Sequence, residues 1–397
     1  FFFSFPGALV IYTPVSLVAG LGNAARHNAL LKGGDALERL AKFDTLVLDK
    51  TGTLTEGRPE VTEVVAAPGY NQDEVLRVAG ALEQASEHPL GRTLVTAATS
   101  RGLDLGGSPA GVDVVTGAGI TGLVSLDESL QSIGVGSERL LAHLGIGTEQ
   151  DTNPLAARAQ ELEQAGNTVS FVTIGGSDGS GEHEIAGLVA IADQIRPGVP
   201  EALRALSEGG VNRFVMLTGD NAHTAAAIAA QAGFSDKSDE VRAELLPQEK
   251  LDQIVALKQQ GGNVAMIGDG VNDAPAIAAA DVGLAMGAGT DVSLETADVI
   301  LVGNRFDQLL QARAVSRATL RNMTQNMVIA LGTVALLLIG VVGGKVHMAS
   351  GMLIHEISVV AVVLNAMRLI AFQDRAAARL RPDEARESRR SRQQVSV

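Results

Sequence analysis

The sequence predicts an α/β protein in which a parallel-stranded domain is interrupted by a second α/β domain with an antiparallel sheet and is bounded by transmembrane helices. Three observations carry this. Short apolar runs alternate with helical stretches on both sides of a long Gly/Ser-punctuated interval. The stretches 1–22, 328–344 and 348–372 are nearly free of charge. Three of the short runs lead into aspartates, Asp49, Asp220 and Asp269, each in Gly- or Asn-rich turn chemistry.

The first element, "FFFSFPGALVIYTPVSLVAG", is apolar and carries Pro6 and Pro14, so residues 1–22 are expected to form a kinked membrane helix. It begins inside its own hydrophobic run without a charged lead-in, unlike a signal peptide. That start predicts the carboxyl-terminal part of a longer polypeptide. Residues 23–59 read as helix, Gly-Gly turn, short helix and a strand over 44–49, and open the parallel domain. Residues 60–189 differ: alternating "PEVTEVVAAP", a helical stretch 72–86 and the turn-rich "GGSDGSGEHE" predict the inserted domain. Residues 190–318 return to strand–helix alternation through "RFVMLTGD", "NAHTAAAIAAQAGF", "VAMIGDGVND", "VGLAMG" and "DVILVG". Membrane helices are then expected over 322–345 and 348–373, followed by a basic tail, 374–397.

The 397 residues carry a net charge of −14, yet the tail and Arg313, Arg317 and Arg321 are basic. Basic flanks on both outer ends of a helix pair predict a hairpin with both ends in the cytoplasm. An arginine-rich tail beside a membrane helix signals orientation and contact with membrane lipid, and the acidic remainder argues against a nucleic-acid partner. The absence of cysteine excludes disulfides, thiolate metal sites and a cysteine nucleophile.

In a parallel sheet the acidic strand ends converge on one edge, where open α/β folds place their chemistry. Clustered carboxylates repel one another unless a divalent cation is bound, and hard oxygen ligands with room for water and phosphate suit Mg²⁺. An aspartate nucleophile there can form an acyl phosphate. Lys250, after "LLPQE", can supply a positive charge for phosphoryl oxygens, and Thr218 a hydroxyl.

"DKTGTLT" at 49–55, "TGD" at 218–220 and "GDGVNDAP" at 268–275 resemble the signature set of the P-type ATPases, whose phosphorylation domain is haloacid-dehalogenase-like and Rossmannoid. The resemblance covers almost the whole chain and implies ATP and Mg²⁺ as cofactors. It makes 23–59 and 190–318 the phosphorylation domain and 60–189 the nucleotide-binding domain. It implies that Asp49 accepts the γ-phosphate, that Asp49, the Thr51 carbonyl and Asp269 hold Mg²⁺, and that Thr218 and Lys250 contact the phosphoryl group. Asn272 and Asp273 complete the site. Phosphatases of the superfamily carry a second aspartate two positions after the nucleophile as acid/base; here Thr51 stands there, which should let a phosphoenzyme persist.

"EQASEHPLGRTL" and "GAGITG" in the inserted domain resemble the nucleotide-binding domain of the heavy-metal subgroup. That resemblance assigns Glu83, His88, Gly117 and Gly119 to adenine and phosphate contact. Where the subgroup often has Gly-Asn on a following strand, this chain has Gly136-Ser137. The subgroup's Cys-Pro-Cys or Ser-Pro-Cys is here "SFPG", with Phe5 and Gly7 flanking Pro6, so no thiolate is offered to a soft ion.

His355 and Glu356 lie well inside the last apolar run, and intramembrane ionisable residues point to function. Adjacent residues diverge by about 100° on a helix, so the two do not share one face, whereas Ser358 lies on the His355 side. A His–Glu pair there resembles the cobalt-, iron(II)- or zinc-moving type. Nitrogen and carboxylate ligands without sulfur suit iron(II) or cobalt, then zinc, with manganese open; Ser4 is taken with the pair as an oxygen ligand.

The expected function is therefore ATP-driven export of a divalent transition metal across the cell membrane, with catalytic domains and carboxyl terminus cytoplasmic. No "TGE" loop of an actuator domain is found, so the amino-terminal portion of the pump is an expected partner. The alternatives are a membrane-tethered phosphohydrolase of the same superfamily and an inactive fragment.

Overall fold

The computed structural model describes residues 7–86, 88–126, 129–147, 153–176, 183–220, 222–235, 239–269, 273–287 and 295–380. They fall into two compact units: Phe1–Leu54, Arg196–Gly219 and Gln231–Val397 in the first, Thr55–Ile195 and Asp220–Ala230 in the second. Among the described residues there are 13 strands and 13 α-helices, numbered below in chain order.

The sheet of the first unit contains β1 (Ala29–Leu31), β2 (Thr45–Asp49), β9 (Arg213–Leu217), β10 (Glu240–Arg242), β11 (Val264–Gly268), β12 (Val282–Met286) and β13 (Val299–Leu301). Its spatial order is β1-β13-β12-β11-β2-β9-β10. All neighbours are parallel except β1 and β13. Strands β2, β11 and β12 are buried along their whole length, which is why they read as continuous apolar runs rather than alternating ones. On one side of the sheet, α9 (Pro247–Gln259) and α10 (Ala274–Ala279) bury Ile254, Leu257, Ala276 and Ile277 against Val47, Val215 and Met266. From β2 the chain moves outward to β9 and β10, then returns to β11 on the opposite side of β2. The strand order therefore reverses at β2, the position where an open α/β sheet leaves a crevice at its carboxyl edge.

The second unit holds the antiparallel sheet, in spatial order β3-β8-β7-β6-β5-β4: β3 (Thr55–Ala66), β4 (Ala110–Val115), β5 (Gly119–Leu126), β6 (Ser129–Gly136), β7 (Thr168–Gly175) and β8 (Glu184–Ile195). One core joins it to α3 (Gln72–Glu83) and α4 (Pro89–Ser100) through Leu76, Leu82, Leu94, Val124 and Ile133. Another, with Leu141, Leu162, Phe171 and Leu188, packs α5 (Glu138–His143) and α6 (Ala156–Gln164). Strands β3 and β8 pair from Thr55↔Ile195 to Ala66↔Gly187. The unit edges consequently fall at 54/55 and 195/196, a few residues outside the 60–189 interval expected from composition, because both strands run unbroken beyond it.

In the first unit, α1 (Gly7–Arg26) continues past residue 22 and contains Pro14. Helix α11 (Phe306–Val342) is a single 37-residue helix. The sequence places a domain edge at 318 and a membrane helix from 322, but no break occurs: one rod leads from beside the first unit's sheet into the apolar segment. Helix α12 (Met348–Met367) follows. Two stretches among the described residues, Phe306–Val342 and Ala349–Leu380, are long and apolar enough to cross a membrane. Helix α1 is not one of them; it packs on both through Ile11, Tyr12, Ala330 and Val362. A buried polar layer ties the three together. Ser16 Oγ donates to Asn322 Oδ1 at 2.8 Å, and Asn326 Nδ2 donates to Ser16 Oγ at 3.0 Å. Asn365 Nδ2 donates to Asn326 Oδ1 at 2.8 Å.

The amino-terminal part of α11 is fastened to segments that flank the first unit's sheet. Arg313 donates to the carbonyls of Gly209 and Phe43, each at 2.9 Å, and stacks over the Phe43 ring at 4.4 Å. Arg317 donates to the Ala41 carbonyl at 3.0 Å. Phe43 lies two residues before β2, the strand that ends in Asp49, so the helix grips the entry to that strand directly.

Candidate active site

Strand pairing places Asp49 beside Leu217 of β9, and Leu48 beside both Met216 and Ile267. Thr218 and Asp269, the residues that follow β9 and the β11 end Gly268, therefore emerge on either side of Asp49 at one sheet edge. Thr218 is 2 % exposed; its amide donates to the Arg242 carbonyl, and its carbonyl accepts from Leu245. Helix α9 starts with Pro247, and Glu249 accepts the Leu246 amide at 2.7 Å, which closes its first turn. That turn aims Lys250 inward.

Lys250 Nζ donates to Asp49 Oδ1 at 2.6 Å and to Asp273 Oδ1 at 2.7 Å. All three side chains are buried, with exposures of 8 % for Lys250, 8 % for Asp49 and 2 % for Asp273. Burial, then the neighbouring Asp273, pushes the Asp49 carboxyl up to about 7 against the pull of Lys250. Burial alone would lower the Lys250 ammonium, but Asp49 and Asp273 more than offset this and hold it above its ordinary value. The arrangement is two carboxylates sharing one cation, with Asp269 adding a third negative charge that raises Asp49 further.

The loop after Asp49 requires glycine. Gly52 has φ +72°, and a Cβ on it would meet Asp269 Oδ2 at 2.9 Å. Thr51 is exposed with extended backbone angles (φ −77°, ψ 129°). Gly268 is likewise constrained, because a Cβ there would lie 2.8 Å from Asp273 Oδ2. The structure thus brings together Asp49, Lys250 and Asp273 by direct contact, and Asp269 by its approach to the nucleophile loop. Asn272 lies outside the described residues.

Sequence reasoning missed Arg196. Its guanidinium donates to the Gly52 carbonyl at 2.6 Å and the Thr53 carbonyl at 3.0 Å, and its amide donates to the Leu54 carbonyl. Its side chain therefore pins two successive residues of the loop after Asp49, and its main chain a third. The only signal was an arginine directly before Pro197 at a strand exit, which is common chemistry. Arg196→Ala is expected to lower the rate of any reaction at Asp49 by about 10- to 100-fold, the usual cost of a reacting group displaced by an ångström or so. Nucleotide affinity measured by equilibrium binding should stay unchanged. A rate equal to that of the unmodified chain would show that the loop holds its shape without the arginine.

In the second unit, Glu83 ends α3 and His88 caps α4. His88 Nδ1 accepts the Leu90 amide at 3.3 Å, which leaves the ring proton on Nε2 as an outward donor. Glu83 Oε2 is buried without a hydrogen-bond partner among the described residues, and burial is the main cause of its raised pKa, opposed by Ser86 and His88. A Cβ on Gly91 would come within 2.2 Å of that oxygen, so only glycine lets the first turn of α4 lie on it. Gly122 of β5 lies against Leu82, which sets the end of α3 beside the strand that begins at Gly119.

Gly117 has φ +70°, and a Cβ on it would meet only the Arg139 guanidinium, at 3.9 Å, which suits a close backbone approach to a ligand. Gly119 has a reason internal to the fold as well: a Cβ there would meet the Val135 carbonyl at 2.3 Å. Of the "GAGITG" glycines, Gly117 sits in the hairpin turn between β4 and β5 and Gly119 and Gly122 lie in β5, so the motif does not open a helix. Ser137 donates to the Ala118 carbonyl at 3.1 Å and so fastens this turn.

His355 is half-buried on α12 and Glu356 is exposed on a different face, as the helical angle requires. Ser358 is buried, and its hydroxyl donates to the His355 carbonyl at 2.7 Å. Ser4 lies outside the described residues. Among the described residues, no group of three or more His, Asp or Glu side chains is poised to hold a metal ion. The Mg²⁺ set expected at the sheet edge is compatible with this, since it uses two carboxylates and a main-chain carbonyl. Its donors are all hard oxygens, and the mutual repulsion of Asp49, Asp269 and Asp273 is what a divalent cation relieves.

The family model of haloacid dehalogenase-like hydrolases matches residues 43–281. A copper-transporting P-type ATPase of Rhizobium leguminosarum bv. viciae is 40 % identical over 372 residues, covering 92 % of this chain and 42 % of that protein. A silver exporting P-type ATPase of Salmonella typhimurium is 40 % identical over 374 residues, with coverages of 92 % and 42 %. A zinc-transporting PIB-type ATPase solved in its E2.Pi state superposes with a TM-score of 0.78 at 37 % identity, over 92 % of this chain and 56 % of that one. The catalytic domain of a CPx-ATPase, studied for its changes on nucleotide binding, matches with a TM-score of 0.51 at 27 % identity, over 74 % and 97 %. The chain spans about 42 % of the length of these two curated relatives.

Proposed function

This chain belongs to the haloacid dehalogenase-like hydrolase family, and from that premise we propose that it is the catalytic and carboxyl-terminal membrane portion of an ATP-driven heavy-metal exporter. Mg²⁺ and ATP are the cofactors of P-type ATPases, and the oxygen donors at the sheet edge together with the His88 and Gly117 region suit them. The observation that carries the proposal is the buried Lys250 between Asp49 and Asp273, with Thr51 in place of a second catalytic aspartate.

In the proposed reaction an Asp49 oxygen attacks the γ-phosphorus of ATP. The new O–P bond forms as the bond to the β-phosphate oxygen breaks, and ADP leaves. Asp49, the Thr51 carbonyl and Asp269 would hold Mg²⁺, which when bound would offset the charge of the phosphoryl oxygens. Lys250, already placed at the nucleophile, supplies a fixed positive charge, and Asp273 holds that ammonium in position. Thr218 offers a hydroxyl from the adjacent strand end. With no carboxylic acid at position 51, water activation is slow and the acyl phosphate persists.

For the transported ion we propose iron(II), cobalt or zinc, carried by His355 and Glu356 with Ser4. The chain contains no cysteine and therefore offers no thiolate. Copper(I) is the second reading, favoured by the names of the relatives. Location in the cell membrane with both ends of the α11–α12 hairpin cytoplasmic follows from the basic flanks. Transport as a whole is proposed to need an amino-terminal portion of the pump.

The test is the level of acid-stable label transferred from γ-labelled ATP with Mg²⁺ alone and with added Fe²⁺, Co²⁺, Zn²⁺, Mn²⁺ or Cu⁺. A severalfold rise with Fe²⁺, Co²⁺ or Zn²⁺ is expected. A rise with Cu⁺ alone would replace the first reading by the second. Steady turnover of small phosphate esters without label would instead favour a membrane-tethered phosphohydrolase.

A further inference from the structure

Arg313, Arg317 and Arg321 recur every four residues along α11, so they share one face of the helix. The first two are explained by the carbonyls of Phe43, Gly209 and Ala41. Among the described residues no such bond engages Arg321. It instead lines a cleft of about 600 Å³ between α11 and α12.

The cleft has a polar end and an apolar end. Arg321 and Arg368 supply two positive charges, Thr324 and Gln325 supply hydroxyl and amide groups, and among the described residues no carboxylate contributes to this lining, although Arg321 also borders a neighbouring cavity that Asp374 lines. Below them, Val328 and Ile329 are apolar and begin the uncharged part of α11. Arg368 is held in place: its Nη1 donates to Asn365 Oδ1 at 3.0 Å, and Asn365 is itself anchored on Asn326 within the buried polar layer. The bond to Asn365 uses one of the guanidinium's five N–H donors, which leaves a pre-oriented fork facing the cleft.

Two guanidinium groups without a carboxylate partner among the described residues, set above an apolar wall at the level where a membrane helix meets its basic flank, match the chemistry of a phosphodiester on a hydrocarbon tail. We infer that the α11–α12 cleft bounded by Arg321 and Arg368 binds the headgroup phosphate of an anionic phospholipid in the cytoplasmic leaflet, with the acyl chain lying along Val328 and Ile329. Arginine forks bind phosphate oxygens bidentately, and basic pockets between membrane helices on the cytoplasmic side select anionic lipid. The buried asparagine layer then has a second effect besides joining three helices, since it fixes Arg368. The inference rests on the reading of α11 and α12 as membrane helices, but not on which ion is moved.

The test uses the full chain, purified in neutral detergent and then placed in bilayer discs of phosphatidylcholine with increasing phosphatidylglycerol. Lipid retained per chain is measured by native mass spectrometry, with inorganic phosphate titrated separately. The unmodified chain is expected to retain phosphatidylglycerol over phosphatidylcholine. The Arg321→Gln/Arg368→Gln variant should lose that preference, its apparent affinity falling by about tenfold or more, the loss of at least one charge-assisted pair. Lys345→Gln, which removes a charge at the opposite end of the hairpin, should change nothing.

Equal retention by the double variant, or equal binding of phosphatidylcholine, would overturn the inference. Saturation by inorganic phosphate at the same affinity would show a soluble-anion site instead of a lipid site. Arg321→Lys guards against misfolding: it keeps the charge and should keep part of the preference. A chain that fails to float with vesicles would sink the membrane reading itself, and absent phosphorylation with intact lipid selectivity would sink only the pump.

Discussion

Asp49→Asn is expected to abolish transfer of the γ-phosphate to the chain while leaving the fold intact. The amide cannot form the acyl phosphate, and removal of a nucleophile costs on the order of 10⁴- to 10⁶-fold in rate. The label on the unmodified chain should be sensitive to hydroxylamine and absent from the variant; label persisting in the variant would move the nucleophile elsewhere. A stability effect of definite sign should accompany this. The Asp49 pKa is raised to about 7 by burial and by Asp273, above its ordinary value of 3.8. Between those values the folded chain keeps a proton that the unfolded chain has lost. This group's contribution to stability is therefore present at low pH and disappears as pH rises through about 7. The asparagine variant lacks that slope. With Mg²⁺ chelated it should melt higher than the unmodified chain near pH 8, and the two should converge near pH 4. Added Mg²⁺ should raise the melting temperature of the unmodified chain more than that of the variant.

Lys250→Met should have the second-largest effect, and on both stability and chemistry. Lys250 Nζ sits 2.6 Å from Asp49 and 2.7 Å from Asp273 in a buried cluster. Removing the cation leaves two buried carboxylates facing each other, at a cost of about 3 kcal/mol. Protonation of Asp49 would return part of this. Loss of a fixed charge aimed at the phosphoryl group should lower phosphorylation by about 10²- to 10³-fold. The two roles separate in the Lys250→Met/Asp273→Asn double variant, which should recover stability in denaturant titration without recovering phosphorylation. Recovery of both would mean that Lys250 serves only to neutralise Asp273.

A path of direct contacts joins this cluster to the long apolar helix within the first unit. Arg313 bonds the carbonyl of Phe43, just ahead of the strand that carries Asp49, and lies on the same unbroken helix as Asn322 and Asn326 of the membrane layer. A movement of β2 would therefore reach α11 through Phe43, in the two-residue connection that leads into the strand.

Much of this was legible in the chain. The buried strands β2, β11 and β12 show as apolar runs because a parallel sheet covered on both faces leaves no polar alternation. Asp49, Thr218, Lys250, Asp269 and Asp273 stand in motifs because strand ends and the turns after them are local features, written in consecutive residues. The His355/Glu356 divergence follows from helical geometry alone. What only the tertiary structure decided are the relations between distant segments. Arg196 reaches back 143 and 144 residues to the nucleophile loop, and nothing around "QIRPG" announces a partner. That Gly119 must lack a side chain is set by the Val135 carbonyl, 2.3 Å from where a Cβ would stand, while a Cβ on Gly117 would meet only the Arg139 guanidinium at 3.9 Å, although both occupy one motif. Arg313, Arg317 and Arg321 are equivalent as sequence, three cations at a four-residue spacing. Packing gives the first two backbone carbonyls to hold and leaves the third facing a cleft. Local chemistry is encoded in neighbours along the chain, whereas the partner of a long, flexible cation is whatever the fold sets within its reach.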